Sequence, residues 1–79
     1  MVPETARIKL TERVAMANRL GDEFRAEALG MLDVLYAVGD RSDRYPAPHE
    51  RASYLRGYRD AQEIIAVEAT LAARVAKAV

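Results

Sequence analysis

Two segments with helical apolar spacing, separated by a single proline-rich stretch, constrain the fold of this chain more than any other feature. Residues 39–48 read GDRSDRYPAP and contain two of the three prolines. On both sides, apolar side chains recur every three or four residues, the spacing of one face of an α-helix. The upstream face comprises Leu10, Val14, Ala17, Gly21, Phe24, Ala28, Met31, Leu35 and Val38. The pattern predicts an all-α protein.

Local signals predict where these helices begin and end. Thr11 suits an N-cap and Gly39 a C-cap, which predicts a first helix over about 11–38 and a loop over 39–47. Pro48 suits the first turn of a second helix over about 48–78, because its missing N–H needs no partner there. The apolar face of the second helix comprises Tyr54, Tyr58, Ala61, Ile64, Ile65, Leu71, Ala72, Val75 and Val79.

Two parts of this prediction stay open at the level of sequence. Gly21 followed by Asp22 combines a C-cap residue with an N-cap residue, so the first helix is either continuous or broken there. In residues 6–10, Ile8 and Leu10 alternate with Arg7 and Lys9, a pattern that fits either an extended strand or a helix.

The small size of the chain predicts self-association. Seventy-nine residues form at most one domain with a thin core, and without cysteine and with a single histidine neither disulfides nor a Cys/His zinc site can supplement it. Two helices of similar length joined by a short loop are expected to form an antiparallel hairpin. Some apolar residues fall outside the face that the two helices share: Met16, Leu29, Tyr36 and Val67. We therefore expect a homodimer with the form of a four-helix bundle.

Charge and hydropathy narrow the classes of function. Twelve basic residues balance twelve acidic ones, which removes any general electrostatic attraction to nucleic acid or acidic membranes. No stretch approaches the roughly 20 apolar residues that cross a bilayer, and the N-terminal residues do not resemble a signal peptide. These features predict a cytoplasmic protein without a membrane partner.

Glu68 is the acidic residue whose position is most informative. On a helical wheel it falls among Ile64, Leu71 and their apolar neighbours, and a carboxylate there needs a partner. In a hairpin that turns near Asp43, the first helix brings Arg13 near its height. We predict a structural ion pair between Glu68 and Arg13.

Residues 41–59 interleave arginines with tyrosines, as do surfaces that bind single-stranded nucleic acid. Glu50-Arg51-Ala52 followed by Arg56-Gly57-Tyr58 resembles the ribosome modulation factor family over this short part of the chain. The resemblance implies an RNA-binding or ribosome-associated protein as an alternative function. The candidate partner-binding residues are Arg41, Arg44, Tyr45, Arg51, Tyr54, Arg56 and Tyr58.

A second alternative is an enzyme that depends on magnesium. The acids of the two segments, Asp22, Glu23, Glu27, Asp60 and Glu63, resemble in spacing those of the all-α nucleoside triphosphate pyrophosphohydrolases. The resemblance implies Mg²⁺-dependent hydrolysis of a nucleotide. The chain departs from that family's Glu-Glu-x-x-Glu pattern, and it has no Glu-x-x-His for a di-iron site. A solvated charged surface is the simpler interpretation of these acids.

Elimination leaves a binding module as the leading hypothesis. His49 is not accompanied by a recognisable nucleophile motif, so we predict no catalytic, cofactor-binding or metal-binding residue. We expect a homodimeric protein–protein interaction module that modulates or inhibits a larger protein of unknown identity. Short, cysteine-free helical chains of balanced charge are typical of phage-encoded modulators, such as anti-CRISPR proteins and inhibitors of transcription regulators.

Overall fold

A computed structural model describes residues 2–78 and contains three α-helices: α1 (Glu4–Leu20), α2 (Arg25–Leu35) and α3 (Pro48–Ala78). Short 3₁₀ turns at Asp22–Phe24 and Ser42–Arg44 lie in the two connections. Within residues 2–78 every regular element is helical, which confirms the all-α prediction. The number of helices differs from the two that the apolar spacing predicts. Val79, assigned to the apolar face of the last helix, lies outside the described residues, as does Met1.

The first helix begins seven residues earlier than Thr11, the predicted N-cap. Pro3 precedes the helix, its carbonyl accepts the backbone N–H of Arg7 at 3.0 Å, and Glu4 provides an acid in the first turn. Thr11 lies inside α1, where its hydroxyl donates to the carbonyl of Arg7 at 2.8 Å. Of the two alternatives for residues 6–10, the helix is the one observed, and it buries Ala6 and Leu10 on one face.

The chain breaks at Gly21, so the predicted helix over 11–38 is in fact two helices. Gly21 has a φ of 125°, a value that only glycine adopts at little cost. The next turn is closed by the N–H of Phe24, which donates to the carbonyl of Gly21 at 3.1 Å. Of the two alternatives that the sequence left open, the break at Gly21 is the one observed.

The second helix ends at Leu35, before the predicted C-cap at Gly39. Ala37 adopts a left-handed conformation with a φ of 56°. Its N–H donates to the carbonyl of Val34 at 3.1 Å, and the N–H of Val38 donates to that of Asp33 at 2.9 Å. These two bonds form a Schellman motif, which satisfies the last carbonyls of α2 with an alanine where glycine is usual.

Helices α2 and α3 approach each other closely at two glycines. A Cβ on Gly57 would lie within 2.8 Å of the carbonyl carbon of Glu27 and would overlap its oxygen. A Cβ on Gly30 would lie 2.9 Å from the backbone nitrogen of Tyr58. The two helix backbones therefore touch where both side chains are hydrogen atoms.

A small apolar core lies where the three helices meet. Leu10, Met31 and Ala61 contribute one buried residue from each helix, and the partly buried side chains packed against them are Val14, Val34, Leu35, Ile64 and Ile65. The observed α3 coincides with the predicted range of about 48–78. Its last part is not packed on this core, because residues 69–78 are all exposed.

Candidate interaction surface

A buried carboxylate anchors the loop that joins α2 to α3. Asp33 is 3% exposed and accepts hydrogen bonds from the guanidinium of Arg41, at 2.5 and 3.0 Å, and from the hydroxyl of Tyr54, at 2.5 Å. The Tyr54 hydroxyl in turn accepts the backbone N–H of Arg41 at 2.8 Å. Three residues that are distant in sequence thus form one closed network, which we call the Asp33 cluster.

The ionisation of the Asp33 cluster fits a structural role. The Arg41 guanidinium hydrogen-bonded to Asp33 holds the pKa of that carboxyl below its usual value, against the opposing effect of burial. Burial, followed by the hydrogen bond to Asp33, raises the pKa of Tyr54 to about 12. Near neutral pH the cluster is therefore a charged Asp–Arg pair with a neutral tyrosine, and none of its buried side-chain polar atoms lacks a hydrogen-bond partner.

The structure uses much of the predicted partner-binding set, Arg41 to Tyr58, inside the molecule. Tyr54 is 1% exposed, with the rings of Tyr45 and Tyr58 centred 5.4 and 6.1 Å from its own. Arg51 donates to the carbonyls of Tyr45 and Pro46, at 3.0 and 3.2 Å. Assigning Tyr54 to a partner surface is therefore wrong. Its ring lies between those of Tyr45 and Tyr58, and its hydroxyl is hydrogen-bonded to Asp33 and Arg41.

The other members of that set are more accessible. Arg41, a candidate partner-binding residue, is partly buried and its guanidinium is paired with Asp33. Arg56 lies 4.0 Å from Glu27, and Arg44 is exposed. The tyrosines and arginines of residues 41–59 thus act mainly to fasten the loop and the start of α3, and they do not form one continuous basic surface.

Glu68 is buried, as its place on the wheel predicts, but its partner is Lys9 and not Arg13. The Lys9 ammonium donates to the Glu68 carboxylate, whose side chain is 7% exposed. Hydrogen bonds from Lys9 and then Thr5 lower the pKa of Glu68. The predicted pairing fails because it assumed a first helix from 11 to 38, whereas the real α1 begins at Glu4 and brings an earlier turn to Glu68.

Three apolar side chains form an exposed line on α3, which we call the α3 stripe: Val67, Leu71 and Val75. Their exposed fractions are 49%, 46% and 66%. The spacing of four residues puts them on one face, and about half or more of each side chain is left exposed by the described residues. Leu71 and Val75 lie in the part of α3 that extends past the core, where alanines occupy most of the other positions.

A groove continues the α3 stripe toward the core. Its volume is about 620 Å³, and Met16 and Arg13 of α1 face Ile64 and Val67 of α3 across it. Asp60 and Glu63 lie along its α3 side. The α1 side has mixed charge, with Lys9, Glu12 and Arg13, so the acidic edge is the α3 side. An apolar floor with an acidic α3 edge suits an apolar helix that carries basic side chains on the side facing that edge.

The predicted acids do not assemble into a metal site. Asp22 pairs with Arg25 at 3.0 Å, and Glu27 lies beside Arg56. Among residues 2–78, no three His, Cys, Asp or Glu side chains come together in a group that could hold a metal ion. The pyrophosphohydrolase alternative consequently lacks the acid cluster on which it depends.

Sequence reasoning missed Asp33. The signal was present, since Asp33 is the only charged residue in the apolar run of residues 28–38, and a lone acid in such a run requires a buried partner. The identity of that partner was not readable, because Arg41 and Tyr54 reach Asp33 only after the α2–α3 loop has closed.

Comparison with family models, with curated proteins and with solved structures finds no match to this chain. In the described residues, none of the helices combines the length and the apolar character needed to cross a bilayer.

Proposed function

We propose that this chain is a helical protein–protein interaction module that acts as a homodimer joined through the α3 stripe. The observation that carries the proposal is the exposed line of Val67, Leu71 and Val75 on a helix segment that extends beyond the core. A helix ordinarily buries its apolar face, but residues 69–78 of α3 are all exposed among the described residues. The dimer contact supplies that burial.

A second copy of the chain is the occupant that the surface fits best. The core contains few large side chains, with Tyr54 and Leu10 the largest that are fully buried, so a dimer would add apolar burial that the monomer lacks. Charge complementarity supports the same occupant: the tail of α3 carries Arg74 and Lys77, and the groove of another copy presents Asp60 and Glu63. The predicted four-helix arrangement would then consist of α1 and α3 from each copy.

A binding role also agrees with what the polar residues do. The Asp33 cluster is closed on itself, with its buried side-chain polar atoms hydrogen-bonded, and Glu68 is paired with Lys9. The proposal also includes three expectations from the sequence: modulation of a larger protein, a phage origin and a cytoplasmic location. Arg44 and the exposed ends of the dimer remain as surfaces for that larger partner.

Sedimentation of two matched variants tests the proposal. Leu71→Glu places a charge in the α3 stripe, whereas Ala73→Glu places the same charge on the opposite face of the same helix turn. Wild type and Ala73→Glu should sediment at twice the chain mass at micromolar concentration. Leu71→Glu should sediment as a helical monomer. A wild-type chain that stays monomeric and folded over this concentration range would refute the homodimer.

A further inference from the structure

We infer that two α3 helices pair in antiparallel orientation, with Val67 of one copy against Leu71 of the other. This inference rests on the proposed homodimer and specifies its geometry. The evidence is the distribution of charge along both edges of the α3 stripe, which distinguishes an antiparallel pair from a parallel one.

The two edges of the stripe differ in composition. With about 100° of rotation per residue, the α3 stripe of Val67, Leu71 and Val75 covers about 80° of the helix circumference, and Ile64 falls within it. On one side of this line lie Glu63 and Arg74, and on the other lie Ile65, Ala72 and Ala76. Glu68 also falls on this second side, where its carboxylate is paired with Lys9 of α1. The stripe therefore has one charged edge, acidic at its N-terminal end and basic at its C-terminal end, and a second edge of mostly small apolar residues whose one carboxylate is already paired within the chain.

Helix orientation decides which edges meet. In an antiparallel pair related by a two-fold axis, each edge faces the same edge of the other helix, whereas in a parallel pair the charged edge faces the apolar one. Antiparallel pairing would bring Glu63 to Arg74 of the second copy, twice by symmetry. Parallel pairing would leave these charges without partners and close to alanine.

One register satisfies both the charges and the apolar contacts. When Glu63 is level with Arg74 of the second copy, Asp60 is level with Lys77, since both pairs are centred on the same point of α3. In the same register Val67 and Leu71 are about 1.5 Å from level, and Ile64 and Val75 are about 3 Å from level, so both apolar pairs are still in reach of each other. The tail of each copy then enters the groove between α1 and α3 of the other copy, where Met16 supplies further apolar surface.

Disulfide trapping tests the orientation directly, because the chain contains no cysteine. Val67→Cys and Leu71→Cys are made as separate variants, distinguished by a mass tag, then mixed and oxidised. Cross-linking requires Cα atoms within about 7 Å. The antiparallel register predicts that the mixed disulfide exceeds both homodisulfides, and Ala73→Cys, on the opposite face, should not cross-link.

The outcomes separate the two proposals. Predominance of homodisulfides in a protein that sediments as a dimer would overturn the antiparallel orientation and leave the homodimer standing. An absence of cross-links in a protein that sediments as a monomer would refute the homodimer itself.

Charge reversal gives an independent readout of the same register. Glu63→Arg alone and Arg74→Glu alone each place like charges in contact, and should raise the dimer dissociation constant by about tenfold at low salt. A mixture of the two variants should restore wild-type affinity, because every contact in the mixed dimer joins opposite charges. Unchanged affinity in both variants, with no preference for the mixed dimer, would contradict the inferred pairing.

Discussion

At the scale of single residues, the Asp33 cluster is the clearest case of polar chemistry with a structural consequence. Asp33 lies in the last turn of α2, Arg41 lies in the following loop, and Tyr54 belongs to α3. The hydrogen bonds among them join three successive parts of the chain at one point. The loop therefore depends on a neutral Tyr54 and an ionised Asp33.

Alkaline unfolding tests this dependence. The pKa of Tyr54 is about 12 in the folded protein and 10.0 without the fold, so the folded state holds its proton more tightly. The stabilisation is complete below pH 10 and is lost as the pH rises toward 12. Tyr54→Phe should lower the free energy of unfolding by about 1–3 kcal/mol near neutral pH, because partners buried with the hydroxyl lose a hydrogen bond.

Urea denaturation at a series of pH values measures both effects. Tyr36→Phe is the matched control, since the side chain of Tyr36 is largely exposed. The difference between wild type and Tyr54→Phe should shrink above pH 10. A difference that stays constant up to pH 12 would show that the hydroxyl does not ionise as the cluster requires.

At the scale of elements, the contact between α2 and α3 depends on the absence of two side chains. Glycine in an exposed helix is less favourable than alanine by about 1 kcal/mol, so replacement by alanine normally stabilises a helix. At Gly57 the opposite is expected, because the added methyl group would meet the backbone of Glu27. The helices would have to move apart, which separates Tyr54 from Asp33 as well.

Gly57→Ala should accordingly destabilise the protein by about 2 kcal/mol or more, as overpacking of a close contact does. Thermal and urea unfolding followed by circular dichroism provide the measurement. Ala52→Gly, at an exposed position of the same helix, is the control that reports ordinary helix propensity. Greater stability in Gly57→Ala would mean that the two backbones do not touch.

The spacing of apolar residues predicts the bounds of a helix correctly when the helix ends where its apolar pattern ends. It gives α3 its correct range, because Pro48 and the long uninterrupted face are both visible in the sequence. It fails at α2, since Ala37 adopts a left-handed conformation usually taken by glycine. It also fails at the start of α1, because the helix begins directly after Pro3 and Thr11 lies inside it. In the site, burial of Glu68 was predictable from its place on α3, whereas its partner depended on the true start of α1.

At the scale of the whole molecule, the pair of Lys9 and Glu68 determines how α1 lies on α3. Glu68 is adjacent to the α3 stripe in sequence, and its carboxylate is turned toward the first turns of α1. The pair therefore helps to position α1, which forms one side of the groove that the proposed dimer uses. The side chain of Lys9 is 58% exposed, so solvent screens the pair and its contribution is modest.

Glu68→Gln should lower the midpoint of thermal unfolding by a few degrees at neutral pH, because Lys9 loses its charged partner. Lys9→Ala should have a comparable effect, whereas Arg13→Ala should have little, which distinguishes the observed pair from the one predicted by sequence. The pKa of Glu68 is lowered by Lys9, so its stabilisation is present above the ordinary pKa of a glutamate and is lost as the pH falls. Wild type and Glu68→Gln should therefore converge in acid. If Glu68 acted instead through an external partner, Glu68→Gln would leave the midpoint of thermal unfolding unchanged at every pH. Other contacts would then have to position α1 beside the groove.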